Sequence, residues 1–336
     1  MSVCVNELYP SIKVKRLTPK NISSSDHSLF ESEYFKKINQ VSSYHFKDCF
    51  LSNGVIVQKF SFKVWDKFTN VLPIGKKAKF YSWIQVFYKR PINIPKAFIL
   101  TNNWSNGYFH WMLDVLPKWI ALKSRLSGHV LLLESTLFNL GFVKSSLELL
   151  KIPYLITNQK DVYHLSECII TDDIAPTGNY NPLIINKLSS ELRFLVGINT
   201  TAVPFRKIFI SRAKAIKRRI LNENDLLPIL KKYSFEVLYF EELNLNQQIL
   251  ISSQAAVLVS LHGAGLTNIL FLCPGSKVFE IRNGRDTNNN CYFSLANAME
   301  VDYYYQIAEG NSLNTHSVDV KVDLAIFEQT LIQLIN

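Results

Sequence analysis

From residue 97 onward the sequence alternates short, almost wholly apolar runs with segments of helical length, and no other feature constrains the fold as much. Residues 97–101 (AFILT) and 130–133 (VLLL) read as buried strands, 108–126 and 137–150 as helices, and 154–156 and 168–171 as further strands. A strand apolar on both faces must be covered on both, which βαβ units around a parallel sheet achieve. A helix is expected over 183–196 and a linker over 197–204. The alternation then resumes, with strands over 207–210, 235–239, 256–260, 277–281 and 302–305. Helices over 223–232, 247–253, 266–271 and 291–299 lie between them. Two α/β halves joined by a linker predict a cleft, and open α/β sheets take ligands beyond the carboxyl ends of their strands.

The first 95 residues are less regular. Residues 55–64 and 79–88 mix β-branched and aromatic with polar side chains and read as strands, while 23–25 and 89–95 read as loops. The last periodic segment, 324–334, has the spacing of an amphipathic helix. A chain of 336 residues accommodates two domains of ordinary size. Its five cysteines are scattered without metal-ligand spacing, and an odd count argues against a disulfide framework, so buried or incidental thiols in a reducing compartment are expected. The N-terminal residues carry no apolar signal region, and the longest apolar stretch, 255–261, is far short of the ~20 residues of a membrane span, so a cytoplasmic location is expected. The net charge of +10 admits nucleic acid, an anionic membrane surface or a phosphorylated small molecule as partner, with a merely solubilising basic surface as the plain alternative.

Three segments carry chemistry. In 102–119 (NNWSNGYFHWMLDVLPKW), His110, Asp114 and Lys118 fall at i, i+4 and i+8 on one helix face. The plain reading is a solvated polar stripe. Against it, Phe109, Trp111, Met112, Leu113, Val115 and Leu116 make the helix apolar nearly all round, and a buried His and Asp must be paired or functional. Pro117 interrupts the hydrogen-bond ladder and is expected to kink the helix. A carboxylate held beside an imidazole is a general-base arrangement.

In 206–225, seven of the fourteen residues up to Arg219 are Lys or Arg, and no acid interrupts them before Glu223. A solvated basic patch is again the plain reading. More specifically, Arg212 directly follows a strand and Arg218 lies on the turn to the next helix, where two planar guanidinium forks suit a diphosphate. Asn222 reads as the N-cap of that helix, with Asp225 completing a capping-box-like start. In 256–268 a buried strand runs into His262-Gly263-Ala264-Gly265 and a helix begins, which presents free N–H groups to an anion. This is neither a Walker A loop nor the dinucleotide fingerprint. Glu280, near the end of the following strand, is placed to accept from ribose hydroxyls. Asp172-Asp173, in the turn-rich stretch 172–182, reads as a loop rather than a metal site.

Taken in order, NGYFHWMLD, ISRAKAIKRRILNEN, GAGLTNILF and PGSKVFE resemble glycosyltransferase family 61 over roughly 97–305. The resemblance implies a GT-B fold, two Rossmann-like domains facing across a cleft. The acceptor-side domain would occupy 1–196 (97–196 its Rossmann-like part) and the nucleotide-sugar domain 205–321. The C-terminal segment 322–336 is a candidate to pack back on the N-terminal domain. It further implies an inverting transfer without metal or other cofactor, usually from a UDP-sugar. The acceptor would be a glycan or lipid-linked glycan in surface or capsular polysaccharide synthesis, at or near the inner face of a membrane. By the same resemblance Arg212 and Arg218 neutralise the donor diphosphate. His262, Gly263, Ala264, Gly265 and Asn268 form the nucleotide-side loop, Glu280 holds the ribose, and Asn222 and Glu223 are supporting residues that cap and position the helix. His110 and Asp114 face the acceptor, either one acting as base with the other orienting it.

Two rival readings remain at this level. A nucleic-acid-binding protein would carry its basic residues over one face with a recognisable module, whereas here they cluster at one strand–helix turn. A non-catalytic binder of the same fold is consistent with the fold alone.

Overall fold

The computed structural model describes residues 3–61, 63–174, 178–198, 202–287, 289–312 and 317–336. The chain is mixed α/β and forms two compact units, one of Met1–Ile12 with Asn39–Pro176 and one of Lys13–Ile38 with Thr177–Asn336. Parts of the expected turn at 172–182 and linker at 197–204 lie outside the described residues.

The first unit holds β1 (Cys4–Tyr9), β2 (Val41–Ser52), β3 (Val55–Gln58), β4 (Lys63–Trp65), β5 (Ile92–Ile99), β6 (Val130–Glu134), β7 (Tyr154–Thr157) and β8 (Val162–Thr171). They form one sheet in the order β4-β3-β2-β8-β5-β6-β7, with β1 also on β2. Strands β8, β5, β6 and β7 are mutually parallel, as the alternation from residue 97 implies. The remainder is antiparallel and joins through β2. Phe46, Ala97, Ile99, Leu132, Cys168 and Ile170 belong to one buried cluster of this unit.

Residues 79–88, expected as a strand, lie in the helix Lys76–Tyr88. Its buried stripe is Ser82, Gln85 and Val86. Asn53 Nδ2 donates to Ser82 Oγ at 3.2 Å, and Ser52 Oγ donates to Gln85 Oε1 at 3.5 Å. Phe80, Tyr81, Phe87 and Tyr88 stay exposed. Because Ser82 and Gln85 face inward while Phe80, Tyr81, Phe87 and Tyr88 face outward, apolar spacing gives little helical signal here.

The second unit holds β9 (Arg206–Ile210), β10 (Glu236–Leu238), β11 (Ala255–Leu261), β12 (Lys277–Asn283), β13 (Asp302–Gly310) and β14 (Val320–Lys321). The sheet order is β10-β9-β11-β12-β13-β14, the first five parallel and the last antiparallel. Numbered from β9, the parallel strands run 2-1-3-4-5, an order whose switch point lies between β9 and β11.

The C-terminal helix Leu324–Ile335 packs on this second sheet, which corrects the expectation that it returns to the N-terminal domain. Phe327, Leu331 and Leu334 join Phe209, Val259 and Phe279 in one cluster, and the Phe279 and Phe327 rings stack at 5.6 Å. Asp323 caps the helix by accepting from Ala325 N at 2.9 Å and Ile326 N at 3.0 Å. Phe327→Ala should therefore destabilise the second unit by about 3–5 kcal/mol, read as a lower urea midpoint for that unit. An unchanged midpoint would show that the helix is not part of its core.

The division into units also departs from the expected 1–196 domain. Residues 13–38 fold with the second unit. Lys20 N donates to Tyr303 O at 2.8 Å, and Asn21 exchanges two hydrogen bonds with the Tyr305 backbone at 2.7 and 3.1 Å. Phe30 is fully buried against Phe293, Tyr303 and Tyr305, with ring centroids 5.0–6.0 Å away. The helix Pro182–Leu195 likewise belongs here, where Asn186 Nδ2 donates to Ala298 O at 2.8 Å. These partners are more than a hundred residues apart, so no local spacing announces them.

Candidate active site

In the first unit, the helix over 108–122 leads from β5 toward β6. It is α-helical at Tyr108–His110, widens into a π turn at Trp111–Val115 and is α-helical again at Leu116–Leu122. Pro117 has no N–H for the carbonyl four residues back, so the expected kink takes the form of a widened turn just before it. Trp111, fully buried, donates from Nε1 to Ser146 Oγ at 2.8 Å and anchors the turn.

His110 Nδ1 lies 2.6 Å from Asp114 Oδ2. Asp114 is buried and its Oδ1 has no hydrogen-bond partner among the described residues. Burial pushes its carboxyl pKa up, and the hydrogen bond and charge of His110, with the Lys118 charge, offset this only in part. The His110 side chain keeps 24% of its surface exposed against 11% for Asp114. The imidazole thus faces solvent and the carboxylate stands behind it. Trp104 and Phe109 flank the imidazole, each 5.1 Å from it between ring centroids. Lys118, third on the expected stripe, is buried and paired with Asp173 at 2.6 Å. Asp172 accepts from Ser42 N at 3.1 Å and Tyr44 Oη at 3.3 Å, so both aspartates hold the end of β8 in place.

A cavity of about 260 Å³ opens in the same unit at the carboxyl ends of β5, β6 and β7. Thr101, Asn102, Asn106, Glu134, Thr157 and Asn158 are among its walls, and among the described residues no Lys, Arg or His lines it. Such a wall offers donors and acceptors to hydroxyl groups and no cation to a phosphate. Sequence reading missed it, since its residues come from five separate segments.

In the second unit, β9 and β11 end side by side at the switch point, and their following loops begin with Ser211-Arg212 and His262-Gly263. Arg212 Nε donates to Arg218 O at 2.7 Å and Nη2 to Lys217 O at 3.1 Å, which closes the basic loop on itself. A β-carbon on Gly263 would come within 2.6 Å of Arg212 Nη1, so glycine is what lets the guanidinium lie against the second loop. Gly265 lies less tightly on Ile210, at 3.1 Å by the same measure. Ala264 opens the short helix Ala264–Phe271.

Arg218 adopts a left-handed backbone (φ +57°), uncommon for a residue with a side chain, and its buried Nε has no partner among the described residues. Burial, and then the neighbouring Arg218 charge, lower the Arg212 pKa. Among the described residues neither arginine is salt-bridged. Two neighbouring guanidinium groups outside any salt bridge are an arrangement suited to an anion.

The supporting residues differ in detail from expectation. Asn222 does not cap its helix. Its amide instead exchanges two hydrogen bonds of 2.9 Å with the Val322 backbone, as a neighbouring strand would. Glu223, buried, accepts from Ser211 Oγ and from Arg212 N at 3.4 Å, and so fixes the turn that carries Arg212. Asn268 Nδ2 donates to Gln248 Oε1 and Gly265 O, both at 3.1 Å, and braces the loop from below.

Glu280 is fully buried and both its oxygens are engaged, one by His262 Nδ1 and the other by Tyr303 Oη at 2.5 Å. Burial acts to raise its pKa, but His262, Arg282 and Tyr303 outweigh that and hold it below the usual carboxylate range. It positions His262 and is not free for a ribose, which corrects the expectation. Asn289 Nδ2 lies 3.1 Å from His262 Nε2, so Nε2 accepts there and Nδ1–H donates to Glu280. Arg282, missed in the sequence, is buried two residues beyond Glu280 on the same strand face. It donates to Asn290 Oδ1 at 2.8 Å and to the carbonyls of Asp286 and Asn289 at 3.2 Å. An alternating Glu-x-Arg inside an apolar strand was its signal. Among the described residues no three His, Cys, Asp or Glu side chains converge as a metal-ligand set.

The family model for glycosyltransferase 61 matches residues 108–279, slightly over half of the chain. This chain belongs to the glycosyltransferase 61 family. The family 61 match takes in His110, Asp114, both arginines and the His262 loop, and stops one residue short of Glu280. Curated relatives of this family 61 chain are EGF domain-specific O-linked N-acetylglucosamine transferases. The chain is 38% identical to that of Drosophila melanogaster over 89 residues, 40% to that of Pan troglodytes over 91 and 37% to that of Gallus gallus over 91. Each match covers 26% of this chain and 17% of the relative, so the chain spans less than a fifth of the length of the relatives it matches.

Proposed function

We propose that this family 61 member transfers a sugar from a nucleotide-sugar donor to a carbohydrate acceptor. The observation that carries the reading is the pair of neighbouring guanidinium groups, Arg212 and Arg218, in no salt bridge among the described residues, at the switch point of a parallel sheet. In this reading they bear the charge of the departing diphosphate, the part a divalent metal plays in other transferases. The N-acetylglucosamine in the relatives' names makes UDP-N-acetylglucosamine the first donor to test. Their acceptor is not carried over, given the short match. A surface polysaccharide or its lipid-linked precursor remains the acceptor we propose, and the cation-free cavity of the first unit suits a neutral sugar unit of it.

His110 is the base in this mechanism. It takes the proton of an acceptor hydroxyl as that oxygen attacks the anomeric carbon from the face opposite the diphosphate. The bond from the anomeric carbon to the diphosphate oxygen breaks as the new glycosidic bond forms, so the configuration inverts. Asp114, behind the imidazole, fixes the ring and stabilises its charged form. The mechanism requires the two units to work as a GT-B pair.

Calorimetric titration with UDP, GDP and CMP in EDTA, followed by assay of the bound nucleotide's sugars for hydrolysis and transfer, tests the reading. One nucleotide should bind without metal and its sugar should turn over. Failure of all three to bind, with or without Mg²⁺, would remove the donor site. Turnover only with Mg²⁺ would reject the metal-independent form.

A further inference from the structure

We propose that the outward face of the helix Lys76–Tyr88, with the turn at residues 59–60, docks this protein on an anionic lipid surface. The helix is inside out. Its buried stripe is Ser82, Gln85 and Val86, while Phe80 (58% exposed), Tyr81 (60%) and Tyr88 (80%) face solvent. Lys76, Phe80, Trp83 and Phe87 form one stripe, and Lys77, Tyr81, Ile84 and Tyr88 form the next.

The aromatic surface is continuous. The Trp83 ring lies 6.0 Å from Phe80 and 4.8 Å from Phe87. Lys59 Nζ sits 5.1 Å over Phe87 and 5.8 Å over Phe60, which is itself 83% exposed. Water does not favour such a cluster on a free surface.

The charge around it points to the partner. Residues 59–90 hold eight Lys or Arg and one acidic residue, Asp66, which is buried and paired with Lys79 at 2.8 Å. Lys76, Lys77 and Lys79 occupy the first turn of the helix, the end where the helix dipole disfavours cations. Lys79 serves the fold by pairing with Asp66, but the exposed rings of Phe80, Tyr81 and Tyr88 are left to solvent. Aromatic rings at headgroup depth, rimmed by Lys and Arg, are what an amphipathic helix lying in an anionic interface presents. A second copy of the chain would bring the same positive rim against itself. No helix among the described residues is long and apolar enough to cross a membrane, so the contact is with the surface of the bilayer. This inference stands apart from the transferase reading.

The test is co-sedimentation of the full chain with vesicles of phosphatidylcholine alone or with about one-third phosphatidylglycerol, at about 0.1 M and 0.5 M salt. The wild type should bind the anionic vesicles at low salt, ignore the neutral ones and be released at high salt. Lys76→Glu with Lys77→Glu, and separately Phe80→Ser with Phe87→Ser, should each weaken binding by about tenfold or more. Both pairs leave the buried stripe intact, and unchanged thermal melting would verify that. Absent binding to anionic vesicles, or either variant pair binding like wild type, overturns the proposal. So does displacement from vesicles by single-stranded DNA that binds more tightly than lipid, which would make the face a nucleic-acid platform. A wild-type dimer that the serine pair converts to monomer would assign the face to a second copy instead.

Discussion

Asp114→Asn should lower turnover by about a thousandfold while leaving the fold at least as stable as the parent. In the His–Asp pairs of serine proteases the same change costs about 10⁴-fold, because the amide cannot stabilise the imidazolium and favours the wrong ring tautomer. The geometry here is of that kind, with His110 Nδ1 2.6 Å from the carboxylate and the imidazole on the solvent side. The stability half of the prediction follows from the raised pKa of Asp114, of which burial is the largest cause. The folded state holds the Asp114 proton more tightly than the unfolded chain does. Its contribution to stability is therefore full below the unfolded pKa and is lost as pH rises through the folded one. Burial makes ionisation of Asp114 costly, and asparagine removes the charge that carries that cost. kcat at saturating donor, and thermal melting at pH 7, decide the matter. Near-normal kcat would take Asp114 out of the mechanism, and a melting point several degrees lower would make it a structural residue.

Arg218→Ala should weaken binding of UDP by about 10- to 100-fold, since a charge-assisted hydrogen bond is worth about 1.5–3 kcal/mol, and should leave uridine binding unchanged. The buried Nε of Arg218 has no partner among the described residues, so loss of that atom breaks no hydrogen bond within the fold. Its left-handed backbone allows a sharper version. Arg218→Gly relieves the backbone and removes the guanidinium, so melting should hold or rise while UDP affinity falls just as far. Arg212→Ala behaves differently, because Arg212 also donates to the carbonyls of Lys217 and Arg218. There the loop loosens and melting falls together with affinity. Titration calorimetry with UDP, UMP and uridine separates these cases. Equal UDP affinity in Arg218→Gly and wild type would mean that the diphosphate does not bind at this turn.

Much of the second unit was readable from the sequence. The helix expected over 223–232 is Glu223–Lys232, and the strand expected over 256–260 is Ala255–Leu261. Here apolar residues face inward, so the periodicity reports burial directly. The His110–Asp114 pair was readable for the same reason, as i and i+4 on a helix apolar on its other sides. Where that link between apolar and inward fails, the reading fails. The helix Lys76–Tyr88 turns Phe80, Tyr81, Phe87 and Tyr88 outward, and its spacing reads as a strand.

The site shows the same boundary between local and distant information. The sequence by itself determined which residue types stand at strand ends and loop starts: Arg212 after β9, the His262 loop after β11, a carboxylate within β12. Spacing along one element fixes such things, because backbone geometry converts separation into direction. Only the tertiary structure decided what each polar group meets. Glu280 is filled by His262 and Tyr303, Asn222 pairs with a backbone a hundred residues away, and residues 13–38 close over the second unit. A buried polar atom must be satisfied by whichever partner packing brings within about 3 Å, and that partner is set by the whole chain's burial of apolar surface, not by its neighbours in sequence.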